Sequence, residues 1–404
     1  MDREEFKNKR QIRKQKIGLQ IGDFVDKSIS KRIKDKDLLA PILPDDPKSH
    51  TWYRVPIENG MAGDGSEYHI YVKIADPAKL CIFFSGGGVA WNEYTAARPV
   101  SGGKTLAELP NYYWNNLRPL TQIMNIDIGI MNMRDADNPF RDFSIIDITY
   151  ATGDFHVGDN DFPYVGEDGE DHILHFHGYK NFKESMKIAK KLFKDPEHLL
   201  IAGNSAGAFA VPALTDEILT NVYHNVSDIT LLSDSAQLLY SKWKKTATDV
   251  WHAPKKICDD ISSDNITLSW YRKLYQKYGN SLRYLYASST RDYLLSAYYN
   301  DVTNKVYKTD SDVQSAFYEQ LKEMVLELKK LTPDFGMYIN EWEIPLITKG
   351  GTVHTAVREP YFTKFTQDDV TMARWLYDAV NGNVYDVGMS LLSKEEGGTI
   401  MTKS

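Results

Sequence analysis

Three features of this sequence predict an α/β fold in which a mostly parallel sheet carries helices on both faces. Short apolar runs alternate along the chain with longer stretches of helical period, as strands joined by crossover helices do. A turn of small residues, Gly203-Asn204-Ser205-Ala206-Gly207, joins one such run to one such helix. A glycine triplet, Gly86-Gly87-Gly88, leaves an earlier run.

Taken in order, residues 1–50 read as a basic extension and linker, 51–385 as one catalytic domain and 386–404 as a tail. Residues 1–36 hold twelve Lys/Arg against six Asp/Glu, with a weak apolar stripe from Phe6, Ile12, Ile17, Leu19 and Ile21. That pattern suits a solvated helix laid over the domain better than a membrane-surface or nucleic-acid arm. The Pro-rich segment 41–56 reads as an irregular link. "EYHIYVKIA" and "KLCIFFSG" then read as strands, as do 127–133 and 143–154. Residues 179–194 have helical period, with Phe182, Met186, Ile188, Ala189 and Leu192 roughly on one face, and Pro196 stops them. "HLLIAG" (198–203) is a short strand and "AFAVPALTDEILTNVYH" a helix. "ITLLSDS" and 282–289 read as strands, 311–331 as a helix, 337–347 as the final strand and 368–380 as the final helix.

Bulk properties exclude several functions. The 404 residues are 42% hydrophobic and 25% charged, with a net charge of −7, so the basic balance of a nucleic-acid binder is missing. No apolar run reaches the roughly 18 residues of a membrane span. Only Cys81 and Cys258 occur, which allow neither a zinc set nor a disulfide framework, and Cys81 inside "LCIFF" reads as a buried, inert thiol. The basic start has no apolar h-region behind it, so a cytoplasmic location is expected. Composition leaves the oligomeric state open.

The chemistry centres on Ser205. A G-x-S-x-G turn between strand and helix is a nucleophile elbow, where the sharp bend tolerates only small neighbours and lifts the hydroxyl above the sheet. The alternative is a Ser capping the helix N-terminus. A serine hydroxyl needs a base. Of the ten histidines, His224, His252 and His354 follow Ser205. His354 lies in a Gly-rich loop after the last strand, where an α/β-hydrolase delivers its base; His224 is too early and His252 lies in a helical insert. For the acid, Asp292 follows the strand before the histidine, and Asp234 ends the strand after the elbow. Asp292 is the stronger choice, leaving Asp234 as a loop anchor. The glycine triplet then has a purpose. An oxyanion needs donors about 3 Å away, and glycines let backbone N–H groups approach, so Gly87 and Gly88 join the N–H of Ala206 as the expected oxyanion hole.

These residues together resemble the pectin acetylesterase/Notum-like family of α/β-hydrolases. The resemblance rests on the "GGG" loop with Trp91 soon after, the segment "TGDFHVG" (152–158), the "GNSAG" elbow, and an "S-x-x-D" before a "G-x-x-H" loop, spanning roughly 65–380. It implies a serine carboxylester hydrolase using Ser205, Asp292 and His354, with no metal and no cofactor. It also implies removal of acyl groups, in plants acetate from pectin; the expected cytoplasmic location points instead to short acyl groups, acetyl first, on an oligosaccharide or other small ester. Trp91, Asp154 and His156 are implied to line the substrate cleft. Secreted members carry a Cys where this chain has Ala90, and several disulfides besides.

Two other clusters carry weaker signals. His172, His175 and His177 are close enough for a metal but lack a carboxylate or Cys at ligand spacing, so a cleft-rim loop is the expectation. The aromatic run 270–286 suits core packing better than sugar stacking. A peptidase or long-chain lipase is the alternative enzyme, the lipase opposed by the polar loop 153–178, which does not suit an apolar lid. A catalytically silent hydrolase scaffold is the alternative outside enzymes.

Overall fold

The apolar runs assemble into an eight-stranded sheet. The structure, a computed structural model, describes residues 40–107, 109–117, 126, 128–344, 348 and 350–393; the basic 1–36 segment lies outside them. The strands are β1 (Thr51–Met61), β2 (Glu67–Ile74), β3 (Asp76–Phe84), β4 (Phe143–Ile148), β7 (His198–Asn204), β8 (Asp228–Asp234), β9 (Arg283–Ser289) and β10 (Gly336–Asn340). A separate hairpin pairs β5 (Asn160–Val165) with β6 (Asp171–Phe176). The sheet order is β1-β2-β4-β3-β7-β8-β9-β10, antiparallel only where β2 meets β1 and β4.

Period-2 alternation divides the strand residues between two cores. Leu80, Ile82, Phe84, Leu199, Ile201 and Leu231 face one, where helices α1 (Gly178–Leu192), α2 (Ala206–Asn221), α3 (Ile266–Tyr278), α4 (Tyr293–Asn304) and α5 (Ser311–Leu331) supply partners. Cys81, Phe83, Ile145, Leu200, Ala202 and Leu232 face the other, covered by α6 (Met372–Val380) through Trp375, Leu376 and Ala379. Burial on both faces explains why these strands read as continuous apolar runs. Burial also pushes the Cys81 thiol far above its ordinary range. The 270–286 aromatics do pack as core, with Trp270, Tyr271, Tyr284 and Tyr286 buried. Pro212 inside α2 has no N–H for the Ala208 carbonyl, and the Ser233 hydroxyl donates to that oxygen instead, at 2.7 Å. Among the described residues no helix is long and apolar enough to cross a membrane.

Four expectations change. Residues 51–56 are not irregular but the start of β1, paired with β2. The described part of 127–133 is a 3-10 turn, because Gly129 (φ +56°) presses against the backbone of Val357 and Arg358 and Ile130 N–H donates to Val357 O. The final strand stops at Asn340, whose own side chain accepts from Trp342 N–H and turns the chain. The polar stretch 153–178 contains the β5–β6 hairpin and not only loop.

What positions the site is strand order. From β3 the chain steps out to β4 on one side and returns to β7, β8, β9 and β10 on the other. The carboxyl ends of β3 and β7 therefore flank the point where the winding reverses, the crevice where open α/β sheets bind ligands. The glycine loop leaves β3 and the elbow leaves β7, so the two meet there.

Candidate active site

Ser205 occupies the turn from β7 to α2 at φ 52°, ψ −126°. A positive φ is costly for a residue with a Cβ and persists only where its surroundings enforce it. Here Ser205 N–H donates to Asp234 O at 2.9 Å, tying the elbow to the end of β8. A Cβ on Gly203 would strike the Gly207 carbonyl, and one on Gly207 would strike the Phe84 carbonyl, so both elbow glycines are sterically required. The Ser205 hydroxyl does not cap α2, which removes the capping alternative.

His354 Nδ1 lies 2.7 Å from Asp292 Oδ2. Asp292 is fully buried, and its other oxygen caps α4 by accepting from Leu294 and Leu295 N–H, both at 2.9 Å. The carboxylate is thereby held with one oxygen aimed at the imidazole. His354 Nε2 is buried without a partner among the described residues, and His354 and Ser205 line one cavity. Burial opposes the imidazolium, but Asp292, by charge and hydrogen bond, with Asp234 and Glu359, outweighs it and raises the His354 pKa above 6.5. Asp234 does something else. Its Oδ2 accepts from Ala356 N–H (2.6 Å) and Val357 N–H (2.7 Å), anchoring the histidine loop, and burial lifts its pKa to about 6. His224, in a turn, and His252, in an irregular segment, are both exposed and neither lines this cavity.

The glycine loop divides its N–H groups. Gly86 N–H donates to Asn204 Oδ1 at 3.1 Å, and a Cβ on Gly86 would stand 2.6 Å from Ser205 Cβ. The N–H groups of Gly87 and Gly88 have no hydrogen bond among the described residues, and both residues line the cavity with Ala206, whose N–H opens α2. Gly88 adopts φ +81°, and a Cβ there would hit the Tyr112 carbonyl.

Trp91, Asp154 and His156 are not cleft residues. All three are buried and none lines the cavity. Trp91 packs against Tyr112 (ring centroids 5.2 Å apart) and Tyr298 (6.1 Å), behind the glycine loop. Asp154 accepts from Thr152 Oγ1, His156 N–H and Gly178 N–H, so it folds its own turn and starts α1; burial raises its pKa to about 6. His156 Nε2 lies 2.9 Å from Ser85 O, and since a carbonyl only accepts, Nε2 carries the proton. Burial keeps that ring neutral, with its pKa lowered to about 4. The TGDFHVG segment thus supports the glycine loop through Ser85.

Sequence reasoning missed the link between the loops. Ser85, immediately before the glycines, donates to Asp147 Oδ1 at 2.5 Å and accepts from Arg358 Nη1 at 2.9 Å. Arg358 stands four residues beyond His354, so this buried bridge couples the histidine loop to the glycine loop. A polar residue before "GGG" was the one available signal; nothing local marks Asp147 or Arg358 as its partners. The cavity of about 500 Å³ has Phe155, Phe209, Leu238 and Leu294 on its apolar side and Thr355 and Glu359 beside His354.

The histidine cluster also changes. His175 lies in β6 and His177 just beyond it, at the N-cap of α1, and register sets Asp161 opposite His175. Asp161 Oδ1 lies 2.6 Å from His175 Nδ1 and 2.8 Å from His177 Nε2. The carboxylate missing at sequence spacing therefore comes across the hairpin, whereas His172 pairs with Asp168.

Residues 62–252 match the family described as Pectinacetylesterase. Among solved structures, the chain is similar to the Wnt deacylase Notum from Drosophila, with a TM-score of 0.55 and 14% identity, covering 82% of this chain and 94% of that one. At that identity the likeness shows the fold. No curated protein matches the chain.

Proposed function

We propose that this carboxylic ester hydrolase, whose residues 62–252 match the pectinacetylesterase family, cleaves its ester by a Ser205–His354–Asp292 mechanism. The observation that carries the reading is the buried Asp292–His354 hydrogen bond, with unpartnered Nε2 on the cavity that Ser205 also lines. His354 takes the Ser205 proton as Oγ adds to the ester carbonyl. The new oxyanion is met by the N–H groups of Ala206, Gly87 and Gly88. Collapse breaks the bond to the alcohol oxygen, which leaves with the proton from His354. Water, deprotonated by the same imidazole, then releases the acid from Ser205.

The substrate is a small-molecule or carbohydrate ester. We assign it a short acyl group, acetyl first. A longer acyl chain is the second reading, favoured by the apolar wall of Phe155, Phe209, Leu238 and Leu294. Assay of p-nitrophenyl acetate, octanoate and palmitate separates the two, with acetate turned over fastest under the first. Ser205→Ala should lose on the order of a million-fold in kcat while remaining folded. A folded variant keeping a tenth of the rate would overturn the assignment, and an inert wild type would favour the silent scaffold. Both cysteines are free and buried, which supports a cytoplasmic location, testable by cell fractionation.

A further inference from the structure

Among the described residues lining the cavity, Glu359 is the sole Asp, Glu, Lys or Arg. No cation among the described residues lies within ion-pair distance of it. One donor reaches it, the Thr355 hydroxyl, 3.2 Å from Oε1. A carboxylate has about four acceptor positions, so most of its capacity is open to whatever enters. Burial pushes its pKa up, against Thr355, His354 and Arg358, and leaving it without further donors is costly.

Mechanism decides which half of the substrate meets it. His354 must hand its proton to the departing alcohol oxygen, so the alcohol half lies beside His354. Glu359 is on the same loop, and Thr355, its donor, directly follows the histidine. Resting on the serine-esterase reading above, we propose that Thr355 and Glu359 form the recognition site for the alcohol half, taking neutral polyhydroxy or cationic alcohols and rejecting uronates. Sugar hydroxyls or an ammonium group supply the donors Glu359 lacks. A uronate brings a second negative charge into a cavity lined, among the described residues, by no Lys or Arg, and like-charge placement of this kind discriminates strongly. Pectin, a polyuronate, is therefore a poor fit for this site despite the family's description.

The test compares kcat/KM for acetate esters differing only in the alcohol: a methyl glucoside acetate, the matching methyl galacturonate acetate, and acetylcholine. Wild type should prefer the neutral over the anionic ester by about tenfold or more, with the gap narrowing as salt rises. Glu359→Gln should shrink the neutral-to-anionic ratio by about tenfold and lower the relative rate on acetylcholine. A wild type that takes the uronate ester as readily as the neutral one, or a ratio unmoved by both salt and Glu359→Gln, overturns the proposal. The salt series needs no variant and so survives a misfolded one. Residual hydrolysis in Ser205→Ala would instead overturn the serine mechanism, which keeps the two failures distinct.

Discussion

At the scale of single residues, the site separates two carboxylates that the chain places in equivalent positions. Asp234 ends β8 and Asp292 lies just beyond β9, and both are buried. Asp292 directs one oxygen to the imidazole, whereas the contacting oxygen of Asp234 is used by two backbone N–H groups. Asp292→Asn should therefore reduce kcat by roughly ten-thousand-fold, because the amide favours the wrong imidazole tautomer and cannot stabilise the imidazolium. Asp234→Asn should act mainly on stability, at about 1–3 kcal/mol for a disturbed buried acceptor. Steady-state kinetics and thermal unfolding on both variants check this, and exchanged behaviours would transfer the acid role to Asp234.

At the scale of elements, the proposed mechanism depends on loops held from behind. The glycine loop rests on Tyr112, against which Trp91 packs, on the His156–Ser85 hydrogen bond and on the Ser85–Asp147–Arg358 bridge. Its own geometry admits no side chain at Gly88, where φ is +81° and Tyr112 O blocks the Cβ. Gly88→Val should rotate the loop and cost roughly a hundred-fold or more in kcat, comparable to loss of an oxyanion donor. Thermal unfolding tells displacement from collapse: a folded variant with wild-type kcat would remove Gly88 from the oxyanion hole.

At the scale of the whole molecule, one sheet gathers groups from the ends of β3, β7 and β9 and from the segment after β10. Its field sets the working pH. In the proposed mechanism only neutral His354 accepts the serine proton, and its pKa is raised above 6.5 because the surrounding acids outweigh burial. The acid limb of kcat/KM should thus fall above about 6.5, the ordinary histidine value, with activity lost as pH drops through it. In Asp292→Asn the limb should move to lower pH, since the chief raising influence is gone. No step of the mechanism uses a cation, so turnover should survive prolonged EDTA and be lost to a fluorophosphonate. Loss on EDTA with recovery on zinc would move the chemistry to Asp161, His175 and His177.

The sequence by itself determined the α/β alternation, the elbow at Ser205, the glycine loop and the strand-end positions of His354 and Asp292. Each is a local signal: a period, a run of residues too small to block a turn, or an order along the chain. Only the tertiary structure decided what faces what. Asp292 and Asp234 differ by the atoms they meet, not by their neighbours in sequence. Trp91, Asp154 and His156 look like cleft residues in a motif, yet packing turns them beneath the loop. Asp161 reaches His175 only through cross-strand register, and Arg358 reaches Ser85 only because β3 and the histidine loop end on the same crevice. Contacts between distant segments depend on how the sheet is wound, and no window of sequence contains that winding.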